Sequence, residues 1–405
     1  MSDSLPHSPL HSMHGGPFDG AQGRHDAFLH THVEPFDVRQ KTSAAELMRA
    51  MAGTSFQARN LASAARIWRR ALEDEVTIFL GIAGAMVPAG MRNVIRYVIE
   101  NRMCDVVVST GANMFHDVYE TLGKPHWQTR PDTDDVELGR RRINRFYDVL
   151  APETDFADAE EFVVAFAQTL EHDRPYSTRE YFQRLGQALI PMAQEEGILT
   201  AAANAGVPIY SPAIGDSVHG LAIATGRVRS GHRLVFDVIG DVLETSHIAL
   251  KSKGSAVIYI GGGTPKNFIQ QAEVAAYIYN RELPGHKYGV QITMDQPQWG
   301  GLSGCTFEEA QSWRKIAPDA DFVTLNVEAT VALPLIVSAL AEELPDIRQT
   351  RVLPDLDFGP SAREKEGRPV GSHQHPPGLQ SESVSFSHRP HILSIRNPSA
   401  AFPVR

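Results

Sequence analysis

Cysteine is nearly absent: Cys104 and Cys305 are the two in 405 residues, too few for a disulfide framework or a zinc-ligand set. A reducing cytoplasm is therefore the expected compartment. Long apolar runs are missing as well, since no stretch reaches the roughly 18 residues that a membrane-spanning helix needs. The opening Met1-Ser2-Asp3-Ser4-Leu5-Pro6-His7 has neither the basic nor the apolar region of a signal peptide. Positive charge is in deficit, with 38 Lys and Arg against 48 Asp and Glu, a net of -10. That balance disfavours a nucleic-acid partner and suits a polycationic ligand, although acidity of this size is ordinary among soluble enzymes. The dinucleotide fingerprint G-x-G-x-x-G is absent in its usual form.

What is present is ample material for a core: 42% of residues are hydrophobic. Residues 1–35 are rich in His, Pro, Gly and Ser. His7, His11, His14, His25, His30 and His32 follow no fixed metal-ligand spacing, so a mostly disordered lead-in is expected, a weak metal-binding tract being the alternative and no metal site being assigned. From Ser43 to Asp74 the apolar positions Leu47, Met48, Met51, Phe56, Leu61, Ala64, Ile67, Trp68 and Leu72 recur at helical spacing, which predicts one or two amphipathic helices. Thr77-Ile78-Phe79-Leu80 reads as a buried strand, Met91 to Asn101 as a helix and Asp105 to Ser109 as a second strand, which together make a βαβ unit. Lys124 to Thr178 is charged and irregular, with one helix expected around Ala159 to Leu170. Further strands are expected at Val207–Tyr210, Leu234–Ile239, Ser255–Gly261, Lys287–Met294 and Asp321–Val327, and a last helix at Ala329–Glu343. Alternation with helices predicts a single large α/β domain over 36–354: a doubly wound, mostly parallel sheet with helices on both faces. Residues 355–405 read as a disordered C-terminal tail.

The stretch from Gly300 to Ile316 concentrates the chemistry. It opens as the glycine-rich loop Gly300-Gly301-Leu302-Ser303-Gly304 and turns into a short helix, for which Thr306 and Glu309 form a capping-box pattern. Trp313 and Lys315 fall at the predicted far end of that helix, with Pro318 stopping it. A lysine beside an aromatic wall is a candidate imine-forming nucleophile, because desolvation exposes the amine lone pair; a solvated cation complementing the helix dipole is the competing role. A second glycine turn, Gly261-Gly262-Gly263, follows a strand and precedes a helix, the arrangement that offers backbone N–H groups to a phosphate. A simple tight connection would look the same.

Ser312-Trp313-Arg314-Lys315-Ile316, with Glu309 at the matching offset, resembles the lysine segment Ser-Trp-Gly-Lys-Ile of the deoxyhypusine synthase family. Phe79-Leu80-Gly81 with Gly90-Met91-Arg92, Pro208-Ile209-Tyr210-Ser211-Pro212-Ala213-Ile214-Gly215-Asp216 and Gly261-Gly262-Gly263-Thr264-Pro265-Lys266 resemble three further family segments in order, so the likeness spans roughly Gly53 to Leu340. The resemblance implies a Rossmann-like NAD-binding fold and an NAD-dependent transfer of an aminobutyl group from a polyamine such as spermidine to an acceptor amine. By it, Lys315 is the covalent carrier, Glu309, Trp313 and Asn267 bind the polyamine, and Thr110, Gly111, Asp216, Gly261, Gly262 and Gly263 bind NAD. It also implies a homo-oligomer, a tetramer or dimer. Glu309 could equally serve its helix cap, and Asp216 could cap the helix after Ser217.

The departures from the eukaryotic pattern are specific. Trp299 and Leu302 stand where that pattern has aspartates, Leu221 where it has an acidic residue, Asn267 where it has histidine, and His116 where it has glutamate. Each lost anion removes a charge-assisted bond of about 1.5–3 kcal/mol to an ammonium. These variants resemble the bacterial deoxyhypusine synthase-like branch and leave the acceptor open: a protein lysine, or a free diamine as in homospermidine formation. A catalytically lapsed NAD-binding protein and an ordinary amine dehydrogenase are the alternatives.

Overall fold

A computed structural model describes residues 31–40 and 43–359; the expectations for residues 1–30 and 360–405 lie outside the described residues. Six strands form the central sheet: β1 (Thr77–Ile82), β2 (Val106–Ser109), β3 (Ile209–Tyr210), β4 (Ser255–Ile260), β5 (His286–Ile292) and β6 (Ile316–Leu325). All neighbours pair in parallel, in the order β6-β5-β4-β1-β2-β3. Strand order reverses between β1 and β4, and at such a switch point the loops leaving the two strands diverge and open a crevice at their carboxyl ends.

The inner strands β1, β2 and β4 are mostly apolar because both faces are covered. β1 and β4 are buried at every position. Their alternation sorts side chains to two sides. Ile78, Leu80, Ile82, Ala256, Ile258 and Ile260 join one cluster, with Trp68 of the helix Phe56–Glu73 and Leu333 and Ile336 of the helix Ala329–Thr350. Phe79, Val106, Val108, Val257 and Tyr259 join the other, with Ile248, Ile269 and Phe307 from the helices Val238–Lys251, Gly263–Val274 and Phe307–Ser312. Trp68 is fully buried, and its indole N–H donates to Met103 O at 3.0 Å. The expected doubly wound sheet is therefore the observed one.

Several local expectations need correction. The segment read as irregular contains a three-stranded antiparallel sheet of Trp127–Gln128, Ile143–Phe146 and Val149–Pro152, and its helix starts early, at Glu153. The strand expected at Leu234–Ile239 shrinks to Val235–Phe236 and pairs with Pro175–Tyr176 outside the main sheet. Asp237 explains this: its carboxylate accepts from Gly240 N–H and starts the next helix within the apolar run. The final helix continues to Thr350. Beyond it, Leu356 and Phe358 pack on the second core cluster, and Asp357 O accepts from His247 Nδ1 at 3.1 Å.

Candidate functional site

Two strand ends define the switch point. β1 runs into Ala83-Gly84 and β4 into Gly261-Gly262-Gly263, with Gly84, Gly261 and Gly263 at φ 78°, 75° and 55°. A Cβ on Gly261 would stand 3.3 Å from Ala83 Cβ, so the two turns meet backbone to backbone. Between them lies a cavity of about 270 Å³ whose lining includes Ala83, Gly84, Gly261, Gly262, Ser303 and Glu328. Gly262 begins the helix Gly263–Val274 without a side-chain cap of its own; Gly263 N–H donates to Ser303 Oγ and Pro265 has no N–H, so Thr264 N–H is the first-turn donor open to an anion.

The neighbouring loop repeats that design. Thr110 precedes the helix Gly111–Thr121 without a side-chain cap bond. Buried Asn113 ties it to β1: Nδ2 donates to Gly84 O at 2.8 Å and to Thr110 Oγ1 at 3.3 Å, while Oδ1 accepts from Met86 N–H at 3.1 Å. Gly111 is pressed under the segment that follows β3, for a Cβ there would lie 2.5 Å from Ser217 Oγ and 3.5 Å from Ser211 Oγ. Ser211 Oγ is buried without a partner among the described residues. Asp216 is exposed, and it is Ser217 that occupies the helix N-cap position, so Asp216 does not act as that cap. An uncapped helix start at Gly111, glycine turns and an unsatisfied hydroxyl beside the reversal of strand order fit a dinucleotide.

The lysine half stands on the opposite flank of the glycine turn. The helix Phe307–Ser312 ends earlier than its sequence suggests: Trp313 is its C-cap, Arg314 adopts φ 57°, and Lys315 lies outside the helix immediately before β6. Arg314 occupies a left-handed conformation that in a non-glycine residue costs about 1–2 kcal/mol, at the position where the resembling segment has glycine. Pro318 does not stop the helix; it falls within β6, where pairing to β5 skips from Ile316 to Asp321. This turn aims Lys315 back at the helix Gly263–Val274: Nζ donates to Asn267 Oδ1 at 3.2 Å and stands 5.7 Å from the Trp313 ring centroid. Thr306 Oγ1 accepts from Glu309 N–H at 3.1 Å, one half of the expected capping box. The Glu309 carboxylate stands beside Cys305, whose thiol is pushed up chiefly by burial, with Glu309 adding to the rise and Lys266 opposing it. Lys315 thus joins Asn267 by a hydrogen bond and Trp313 by a cation–π approach, with Glu309 on the short helix before it.

Sequence reasoning named Lys266 only as part of the glycine-turn motif. Its ammonium is buried, donating to Gln291 Oε1 at 2.9 Å and to Cys305 O, and burial lowers its pKa to about 8. Gln291 was missed altogether, although an amide flanked by Val290 and Ile292 in a buried parallel strand is a usable signal, since it must find partners inside. Ser303 and Asn113 were named only as members of their loops, and Glu328 was missed. The apolar replacements are all accessible: Leu221 is 63% exposed, Trp299 67% and Leu302 49%. Among the described residues no helix is long and apolar enough to cross a membrane.

Comparisons with known proteins converge. The sequence model of the family described as "Deoxyhypusine synthase" matches residues 46–340. A Methanosarcina mazei protein named "Probable deoxyhypusine synthase 2" is 43% identical over 342 residues, covering 84% of this chain and 98% of that protein. A protein of the same name from Archaeoglobus fulgidus is 44% identical over 291 residues, covering 72% and 95%. A "Deoxyhypusine synthase-like protein" from Elusimicrobium minutum is 33% identical over 311 residues, covering 76% and 82%. A crystal structure from Entamoeba histolytica, provisionally assigned as a deoxyhypusine synthase, shares the fold with a TM-score of 0.53 at 18% identity, over 76% of this chain and 96% of that one.

Proposed function

Because the chain belongs to the deoxyhypusine synthase family and is thereby a transferase, we propose that it moves an aminobutyl group from spermidine to an acceptor amine with NAD as cofactor and Lys315 as covalent carrier. The observation that carries this reading is Lys315 held on Asn267 beside Trp313, across the glycine turn from the switch-point cavity.

The starts of the helices Gly111–Thr121 and Gly263–Val274 would hold the cofactor's phosphates, with Thr110, Gly111 and Gly261–Gly263 giving close backbone approach and Asp216 at the open edge. Nicotinamide bound there supplies hydride removal from the carbon beside the donor's secondary amine and its later return. The neutral Lys315 amine adds to the imine carbon so produced and expels diaminopropane, leaving the four-carbon fragment as an imine on Nζ. Asn267 Oδ1 accepts an N–H of the amine and leaves its lone pair to attack. Trp313 offers a ring face to the donor's ammonium, worth about 1–2 kcal/mol when desolvated, and Glu309 a carboxylate. An acceptor amine then displaces Lys315 by the same exchange.

Exposed Trp299 and Leu302, on the loop that leads into the lysine segment, and exposed Trp313 beside the lysine fit a site completed in a homo-oligomer. The apolar residues at 221, 299 and 302 favour an acceptor gripped by fewer anions, so transfer to free putrescine is the second reading. Incubation with NAD, spermidine and putrescine, followed by chromatography of the amines, tests the function. Diaminopropane release is the expected result, and homospermidine without added protein selects the second reading. No diaminopropane with putrescine or with a lysine-bearing protein acceptor would overturn the proposal.

A further inference from the structure

Lys266 is 1% exposed, yet neither of its hydrogen-bond acceptors is a carboxylate. An ammonium buried against neutral oxygens is expensive, and its pKa near 8 shows the penalty, so its retention calls for a role. Its partners supply one. Cys305 O belongs to the loop that feeds the helix before Lys315. Gln291, itself 1% exposed, turns its Nε2 to Gly261 O at 3.0 Å and to Ser303 O at 2.8 Å. Ser303 Oγ in turn accepts from Gly263 N–H at 3.0 Å, and a Cβ on Gly262 would lie 2.4 Å from Ser303 Cα. Four hydrogen bonds through two buried side chains, and a fifth made directly by Gly263 N–H, thus fasten the glycine turn to residues 303–305.

We infer that Lys266 is a positioning residue which, through Gln291, locks the turn Gly261–Gly263 to the loop Ser303–Cys305, so that the cofactor half and the lysine half of the site are set as one unit. The inference rests on the proposed function for what the two halves bind, but the lock itself is a property of the free chain. Its consequence is reciprocal: NAD at the turn and an amine at Lys315 each change the other's affinity by the same factor.

Hydrogen-exchange mass spectrometry of the free protein reads the lock without any ligand. In Lys266→Met, amides of both 261–264 and 300–306 should exchange at least tenfold faster, while those of β1 and β4 keep their protection. Gln291→Met should do the same, and the double variant should add little, because both residues belong to one network. Exchange repeated with NAD then gives the ligand arm: NAD binding should protect both segments in wild type, and 261–264 alone in Lys266→Met. Unchanged exchange at 300–306 in Lys266→Met, or additive effects in the double variant, would overturn the inference. Faster exchange throughout the sheet would also overturn it, since it marks a merely structural lysine. Should Lys266→Met not fold, Ser303→Ala decides, as it deletes only the hydroxyl held by Gly263 N–H: loosening of both segments supports the lock and loosening of neither refutes it. Wild type that shows the lock but binds no NAD would sink the functional reading and leave this one standing.

Discussion

Lys315 Nζ and Asn267 Oδ1 meet at 3.2 Å, and the bond joins the two segments that flank the glycine turn. The acceptor at this place is an uncharged amide oxygen. Asn267→Asp should therefore slow imine formation about tenfold near pH 7.5, because a carboxylate stabilises the ammonium, which has no lone pair to donate. Asn267→Ala should slow it less. Rates of borohydride-trapped adduct across pH 7–10 check this, with the Asp variant recovering as pH rises.

Gly111 sits beneath Ser217 with no room for a methyl group. Gly111→Ala should weaken NAD binding at least tenfold by calorimetry, since the loop must back away from the strand end. Adding Ser217→Gly, which removes both clashing atoms, should restore most of the affinity. Failure of that rescue would mean that the loop position does not set the affinity.

Arg314 carries a φ of 57°. Its side chain makes an exposed ion pair with Glu282, which contributes little. Arg314→Gly should leave stability unchanged or raise it by up to about 1 kcal/mol, while Arg314→Val should lower it by about 1–2 kcal/mol, a difference readable in urea unfolding.

Glu273 and Asp241 are buried, and burial raises each carboxyl to about 7 from ordinary values of 4.5 and 3.8. Glu273 accepts from Ser255 Oγ, and Asp241 from Thr178 N–H and Oγ1. A carboxyl raised on folding binds its proton more tightly in the native state. The stability it contributes is full below about pH 4 and is lost as pH rises through about 7. These two groups should make the melting temperature slope downward between pH 5 and 7.5. Glu273→Gln should flatten that slope, and an unchanged slope in both Glu273→Gln and Asp241→Asn would exclude them as its source.

The sheet was legible because parallel strands covered on both faces must be apolar throughout: Thr77–Ile82 and Ser255–Ile260 announce themselves. Lys315 was legible through its motif, but its placement was not. Helical periodicity continues through Trp313, and nothing in the arginine side chain of Arg314 signals the left-handed turn that closes the helix, with Lys315 N–H donating to Ala310 O. The antiparallel sheet at 127–152 escaped because its strands are short and half exposed, with charges such as Arg145 interrupting any alternation. Gln291 and Lys266 act only through partners far along the chain, which spacing alone cannot pair.

The central claim is covalent transfer through Lys315. Mass spectrometry of the protein incubated with NAD and spermidine and reduced with borohydride tests it most directly, with Lys315→Ala beside wild type. The account expects an aminobutyl adduct mapped to Lys315 in wild type and none in the variant. An adduct on another residue, or none at all despite demonstrable NAD binding, would contradict it.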